Sequence, residues 1–321
     1  MTSLKISNDA RALLCCPTCR ANLAQADSSL LCTNPACGVS FPVVDGVPFL
    51  IQPKSSKVFS TLQITPKTWN PSTPKRRIRK IAWRMLPGIS LNVRAKQNYE
   101  KFISFLKRRT PPLRVLVVGG QVLGEGMEAV VRSDPPIDLI ETDVSPGPRT
   151  GLVCDAHDLP FHSEAFDGVI VQAVLEHVFD PYRCVEEIHR VLKKNALVYA
   201  ETPFIQQVHE GRYDFTRFTH LGHRRLFRRF AEFESGATCG PGMALAWSYQ
   251  YFLLSFSESG IARNVLKAFA RFTSFYLKYF DYYLIAKRGA LDAASACYFL
   301  GEKSEQTITD EELIEQYRGF G

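Results

Sequence analysis

Residues 153–204 read VCDAHDLPF (Val153–Phe161), FDGVIVQAVLEHV (Phe166–Val178) and DPYRCVEEIHRVLKKNALVYAETPF (Asp180–Phe204). Val169–Val171 and Leu197–Ala200 are short, nearly unbroken apolar runs, the pattern of strands buried on both faces. Between them a helix start is well written: Asp180 can cap, Pro181 suits the first helical position, and Lys193 and Lys194 complement the negative end. Asn195 then tolerates the left-handed backbone that usually asks for glycine. Working outward, LRVLVVGGQVLGEG (Leu113–Gly126) and DLIETD (Asp138–Asp143) supply two more apolar runs, and Leu152-Val153 a third. Strands alternating with helical stretches predict an α/β fold with a doubly wound, mostly parallel sheet. The link SPGPRTG is too short and broken for a crossover helix, so the third strand is expected to be short.

Upstream of this block, Leu91, Ala95, Tyr99, Phe102, Ile103 and Leu106 recur at helical spacing until Pro111-Pro112 stops the pattern. Downstream, residues 236–246 are expected to form the penultimate strand and ASACYFLGEKS (Ala294–Ser304) the last, while Thr309 and Glu312 have capping-box spacing. Arg224, Arg225, Arg228 and Arg229 read as a solvated helix face. Between these strands, residues 247–283 carry thirteen of the chain's 37 aromatic residues, and Phe272, Phe275, Tyr276, Tyr279, Phe280 and Tyr283 share one helical face. Core packing is the first expectation for this insert (247–290); a lid, an apolar acceptor pocket or a dimer surface are the others.

The first 52 residues form a separate unit. Cys16-x2-Cys19, twelve residues and Cys32-x4-Cys37 have the spacing of a closed tetrahedral thiolate site, a structural zinc ribbon rather than a catalytic centre. Cys15 could replace Cys16. The following FPVVDGVPFLI (Phe41–Ile51) has a turn signal at Asp45-Gly46. Residues 53–89, rich in Pro, Ser, Lys and Arg, read as a linker with a basic helix, and residues 90–321 as the main domain.

Charge narrows the partners. The net +7 is concentrated in residues 75–114, which hold 13 Lys or Arg against Glu100 alone, so the main domain is not built broadly for phosphate backbones. Nine cysteines, an odd count, argue for metal or free thiols over a disulfide framework. No apolar run approaches the roughly 18–20 residues of a membrane span, and MTSLKISNDARALLCC lacks a signal-peptide core; the expectation is a cytoplasmic protein.

The quoted motifs, over about residues 95–235, resemble those of the class I S-adenosylmethionine-dependent methyltransferases, which implies a Rossmann-like sheet and methyl transfer. In such sheets ligands bind beyond the strand carboxyl ends where the strand order reverses. The resemblance implies that the loop Gly119, Gly120, Gly124 and Gly126 cradles the methionine part of the cofactor, Asp143 the ribose hydroxyls, and Asp155 with Ala156 the adenine; Gln172 is assigned to the same site. The chain departs from the family pattern at Val117, where an acidic residue is usual, and at Gln121, where glycine is. The glycine loop with Asp143 also fits nicotinamide-binding folds, but the later Asp155, LPF, LEH and ETP motifs favour methyl transfer. The N-terminal ribbon looks like the small zinc-ribbon activator subunit of tRNA and release-factor methyltransferases, fused in cis.

The acceptor site is expected near His177 and in the polar loop FIQQVHEGRYDFTRFTH (Phe204–His220). His209 and His220 are the candidate bases, His177 and Asp214 further catalytic candidates, and Tyr213 and Arg217 acceptor-positioning groups. The leading expectation is a small or medium acceptor of glycosyl, lipid-linked or natural-product type. An RNA methyltransferase using the ribbon and residues 75–114 as a basic grip, or a non-catalytic scaffold, are the alternatives.

Overall fold

A computed structural model describes residues 4–51 and 86–320. The expected linker falls almost wholly outside the described residues. In chain order the strands are β1 (Leu23–Gln25), β2 (Ser29–Cys32), β3 (Ser40–Val44), β4 (Val47–Leu50), β5 (Arg114–Val118), β6 (Asp138–Asp143), β7 (Leu152–Cys154), β8 (Phe166–Gln172), β9 (Leu192–Pro203), β10 (Phe230–Cys239) and β11 (Ala296–Lys303). They form one sheet in the order β1-β2-β3-β4-β7-β6-β5-β8-β9-β11-β10. From β7 through β9 all neighbours run parallel, β11 runs against its partners β9 and β10, and β1 to β4 pair with one another antiparallel. The chain winds outward from β5 to β7, then returns to β8 on the other side of β5, so the strand order reverses between β5 and β8.

Alternation along the central strands builds two apolar layers. Leu116, Val118, Val169, Val171, Val198 and Ala200 face one side, packed with Cys184, Val185 and Ile188 of the helix Pro181–Val191. Val115, Val117, Ile170, Leu197 and Tyr199 face the other, packed with Tyr99, Phe102, Ile103 and Leu106 of the helix Ala95–Leu106. Both layers are needed because parallel strands carry apolar side chains on both faces. The helix Pro181–Val191 is capped by Asp180, which accepts from Arg183 N, but it ends before Lys193. Lys193 instead pairs with Asp167, and Asn195 takes the left-handed conformation (φ 54°) within β9.

The N-terminal unit is welded to the sheet. Asp45 and Gly46 (φ 51° and 77°) turn β3 into β4, and β4 pairs in parallel with β7, Phe49 opposite Val153 and Leu50 opposite Cys154. Leu14, Cys16, Leu30 and Phe41 join the core of the main domain. Arg20 locks the seam, donating to Leu159 O (2.6 Å) and Glu187 Oε2 (3.0 Å).

Two expectations fail near the C-terminus. The penultimate strand is β10, ending at Cys239, and the insert begins at once with the helix Pro241–Leu254, followed by Gly260–Ser274 and three short helical pieces up to Ala293. Asp281, fully buried, accepts from Gly242 N (2.7 Å) and Met243 N (2.9 Å) and so caps the first of these helices. The aromatic face is not core. Ile261, Val265, Phe269, Phe272, Tyr276, Tyr279, Phe280 and Tyr283 are each 50–81% exposed, and Leu245, Phe252 and Phe256 extend the stripe. The stripe escapes burial because the helix Gly260–Ser274 turns only Ala270 and Ser274 fully inward, to the first helix of the insert.

The arginine face is also corrected. Arg224 is buried at 3% exposure and donates to Phe227 O, Phe230 O and Gln316 Oε1 while pairing with Glu232 at 2.8 Å, because a buried cation is tolerable only when paired and hydrogen-bonded. Its neighbour His223, fully buried against Phe227, has its pKa pushed down to about 3 by burial, with help from His220 and Arg224. The native state therefore binds fewer protons than the unfolded chain below pH 6.5, and stability falls as pH drops from about 6.5 toward 3. Between pH 7 and pH 5 the wild type should lose about 2 kcal/mol more stability than His223→Leu, as measured by denaturant unfolding at both pH values.

Candidate active site

At the carboxyl ends of β5, β8, β9 and β10 lies a cavity of about 380 Å3 lined by Gly119, Val122, Gly124, Glu125, Gln172, Glu176, Glu201, Gln206, His209 and Cys239, among others. The reversal of strand order opens it. Gly119 (φ 79°) leaves β5 in a conformation only glycine takes freely, and a Cβ there would lie 2.3 Å from Val174 Cγ2. A Cβ on Gly124 would lie 1.9 Å from Gln172 Oε1, so the loop can rest on Gln172 only as glycine.

Gln172 and Glu201 organise the cavity floor. Gln172 Nε2 donates to Glu201 Oε2 (2.9 Å) and its Oε1 accepts from the Tyr99 hydroxyl (3.2 Å). Glu201, buried in β9, also accepts from Asn92 Nδ2 (2.9 Å), Thr238 Oγ1 (3.3 Å) and the Tyr199 hydroxyl. Burial raises its pKa while these donors oppose the shift. Val117, where the family pattern is acidic, borders the same cavity. Glu201, on β9, is a carboxylate in the lining of that cavity.

Asp143, Asp155 and Ala156 lie outside this cavity. Asp143, half-buried at the end of β6, accepts from Ser145 N (3.0 Å) and Ser145 Oγ (3.2 Å). Gln121 bridges from the glycine loop to the same turn, donating to Ser145 Oγ (2.8 Å) and packing on Gly147. Asp155 accepts from His157 N (2.9 Å) at the start of a single 3-10 turn containing Ala156.

On the other side of the cavity stand Glu176, His177 and His209. Glu176 has 0% exposure, and neither of its carboxylate oxygens has a hydrogen-bond partner in another described residue. Burial pushes its pKa up to about 8. His177 Nδ1 lies 2.8 Å from Tyr213 O, and His209 Nδ1 is 3.3 Å from Gln207 O and 3.4 Å from Asp214 Oδ2. The loop that brings His209 here is tied to the site by backbone bonds from Phe215 N (2.8 Å) and Thr216 N (3.2 Å) to Glu176 O.

Four expected site residues take other parts. Arg217 donates to both oxygens of Asp214 and to Gln206 O (2.9 Å) and Gln207 O (3.2 Å), so it clamps the loop rather than reaching an acceptor. Burial would raise the Asp214 pKa, but Arg217 and the His209 N–H outweigh it and bring it down to about 2, which makes Asp214 a permanently charged anchor and not a proton carrier. His220 sits away from the cavity, 3.0 Å from Ser235 Oγ and from Arg318, with a pKa pushed down to about 4 by burial and Arg318. Tyr213 contributes its backbone carbonyl to His177, and Arg212 lies over its ring at 4.9 Å.

The cysteines converge as expected. The Sγ atoms of Cys16, Cys19, Cys32 and Cys37 all lie within 4.8 Å of one another, with Cys16–Cys37 at 3.8 Å and Cys19–Cys32 at 3.4 Å. Tetrahedral thiolates about 2.3 Å from an ion are spaced about 3.8 Å apart, so the four can hold one metal ion. Cys15 points elsewhere, into the seam, where its backbone N donates to Pro160 O (3.0 Å).

A family model described as "Methyltransferase domain" matches residues 123–200. No curated protein matches the chain. Among solved structures, a phosphoethanolamine N-methyltransferase 2 from Haemonchus contortus is similar at 16% identity and a TM-score of 0.38, covering 64% of this chain and 53% of that one. This chain thus spans about half the length of the Haemonchus protein. A 1,6-didemethyltoxoflavin-N1-methyltransferase from Burkholderia thailandensis is similar at 10% identity and a TM-score of 0.40, covering 75% of this chain and 95% of that one. The fold is class I S-adenosylmethionine-dependent methyltransferase-like, with a cysteine cluster at its N-terminal edge able to bind metal.

Because the cysteine cluster shares the core that carries the β4–β7 seam, stripping its metal with a strong chelator should lower the thermal midpoint of the whole chain, and Cys32→Ser should show the lower midpoint without chelator. Equal midpoints for all three samples in a calorimetric scan would exclude a structural metal here.

Proposed function

We propose that the chain is an S-adenosylmethionine-dependent methyltransferase, carrying a structural zinc ion in its N-terminal ribbon, that acts on a lipid-linked or similarly amphiphilic acceptor. The observation that carries the reading is the cavity at the reversal of strand order, formed by a glycine loop on one side and carboxylates and imidazoles on the other. The glycine loop and Gln172 at the cavity, with Asp143, Asp155 and Ala156 at the ends of β6 and β7 beside it, support this reading. Gly119, Gly120 and Gly124 with Gln172 would hold its methionine part, Asp143 its ribose, and Asp155 and Ala156 its adenine. When bound, it supplies a sulfonium methyl group for in-line displacement by the acceptor's nucleophile. Glu201, held by its ring of donors, would when ionised offer negative charge to a cationic sulfonium. Positioning the nucleophile about 3–3.5 Å from the methyl carbon is the main demand on the protein, and the clamped loop 204–217 would meet it. For a hydroxyl acceptor, the proton would leave toward Glu176, His177 and His209, of which Glu176 and His209 line the cavity.

The choice of acceptor rests on the insert. It leaves from the cavity end of β10 and touches the acceptor loop through Tyr251 to Val208 O (2.8 Å) and Gln207 to Ser248 (3.0 Å). Its aromatic stripe faces solvent, and residues 241–293 carry six Lys or Arg against three acidic residues, one of them the buried Asp281. An exposed aromatic face with surplus positive charge suits the surface of an anionic bilayer. RNA has weaker support: within the described part of the basic segment, Lys101, Arg109 and Arg114 are paired with Glu234, Asp167 and Asp138.

Calorimetry should detect binding of S-adenosylmethionine to the wild type, weakened at least tenfold by Asp143→Ala; no binding at millimolar cofactor would leave the scaffold reading in its place. The wild type should float with vesicles containing phosphatidylglycerol, and Phe269→Glu/Phe272→Glu should stay in the soluble fraction. Flotation of both proteins alike would remove the lipid surface from the proposal.

A further inference from the structure

The geometry points to a divalent transition-metal site formed by Glu176 and His209 of the cavity wall together with the adjoining His177. The carboxylate oxygen Glu176 Oε1 lies 3.6 Å from His177 Nε2 and 3.9 Å from His209 Nε2, and the three donor atoms fall within 4.8 Å of one another. Both separations exceed the reach of a hydrogen bond. Donors around an ion with bonds of about 2.1 Å are spaced about 3.4 Å apart at the tetrahedral angle, close to what is found.

The protonation pattern points the same way. The Nδ1 atoms of both histidines face only oxygen acceptors, Tyr213 O for His177 and Gln207 O with Asp214 Oδ2 for His209. A carbonyl cannot donate, so Nδ1 carries the proton in each neutral ring and Nε2 presents its lone pair. Two lone pairs and a carboxylate therefore face one point, with no donor from another described residue reaching Glu176. Such a grouping needs a positive charge at its centre. An imidazole oriented through Nδ1 by a carbonyl or carboxylate is also how metal-binding histidines are held. Two histidines and one carboxylate on an open cavity suit zinc, iron or cobalt and leave positions free for an exogenous ligand.

The site stands on these side chains alone; what the ion does there rests on the methyl-transfer reading. A hydroxyl of the acceptor bound to the ion would pass its proton to solvent water more readily, and its oxygen would take the methyl group as the sulfur departs as a neutral thioether. The ion, rather than a bare imidazole, then activates the nucleophile.

Cobalt(II) titration tests this on the full chain with the cysteine site already loaded with zinc. One further equivalent should bind with weak visible d–d absorption and no thiolate charge-transfer band, and His209→Ala or the near-isosteric Glu176→Gln should weaken binding at least tenfold while keeping the wild-type circular dichroism. No uptake at millimolar cobalt, or equal uptake by Glu176→Gln, overturns the site and leaves a proton shared between imidazole and carboxylate. Calorimetry with S-adenosylmethionine on the same samples separates the two readings: cofactor binding without cobalt uptake overturns only the metal site, and cobalt uptake without cofactor binding overturns only the methyl-transfer reading.

Discussion

Everything at the cavity depends on the divergence of two adjacent parallel strands, β5 and β8, whose connections leave in opposite directions. Backbone groups at those strand ends have no ladder partner beyond them, and the helices on the two faces cannot close over the gap. The chain fills the rim with residues that would be costly elsewhere in a core: a left-handed glycine, a half-buried amide and two buried carboxylates. Glu201 is made tolerable by four donors, from β8, its own strand β9, β10 and the segment before the helix Ala95–Leu106. Glu176 has no such ring, and the contrast between the two carboxylates is the chemical signature of the site.

Much of the sheet was legible because its signal is local. Apolar runs in β5, β8 and β9, Asp180 before Pro181, and the Thr309–Glu312 capping box each depend on neighbours a few residues apart, and all form. The four cysteines were legible for the same reason: ligand spacing is a short-range pattern. What the sequence did not disclose depends on long-range meetings. Glu201 stood in view in the ETP motif, but its importance comes from Asn92, Gln172 and Thr238, each distant in the chain. Glu176 was legible only as a neighbour of His177, since its isolation is a property of burial. His220 and His209 read alike in the loop; the chain separates them by sending one to β10 and Arg318 and the other to the cavity.

The insert misleads for an instructive reason. A helical stripe of aromatics is ordinarily core, and periodicity alone cannot say whether a partner covers it. Here the residues turned inward, toward the first helix of the insert, are the small ones, Ala270 and Ser274, while large ones such as Phe269 and Phe272 are exposed. The clamp of Asp281 on Gly242 and Met243 fixes the first helix at its root, so the outward direction follows from how the element is anchored.

The parallel seam between β4 and β7 has a consequence for colloidal behaviour. β7 offers three buried residues, and without β4 it would be a naked sheet border ready to template pairing between molecules. The ribbon acts as a permanent shield on that border, and the thiolates hold the shield in shape. Metal starvation would then show itself first as turbidity and precipitation of an otherwise well-formed main domain.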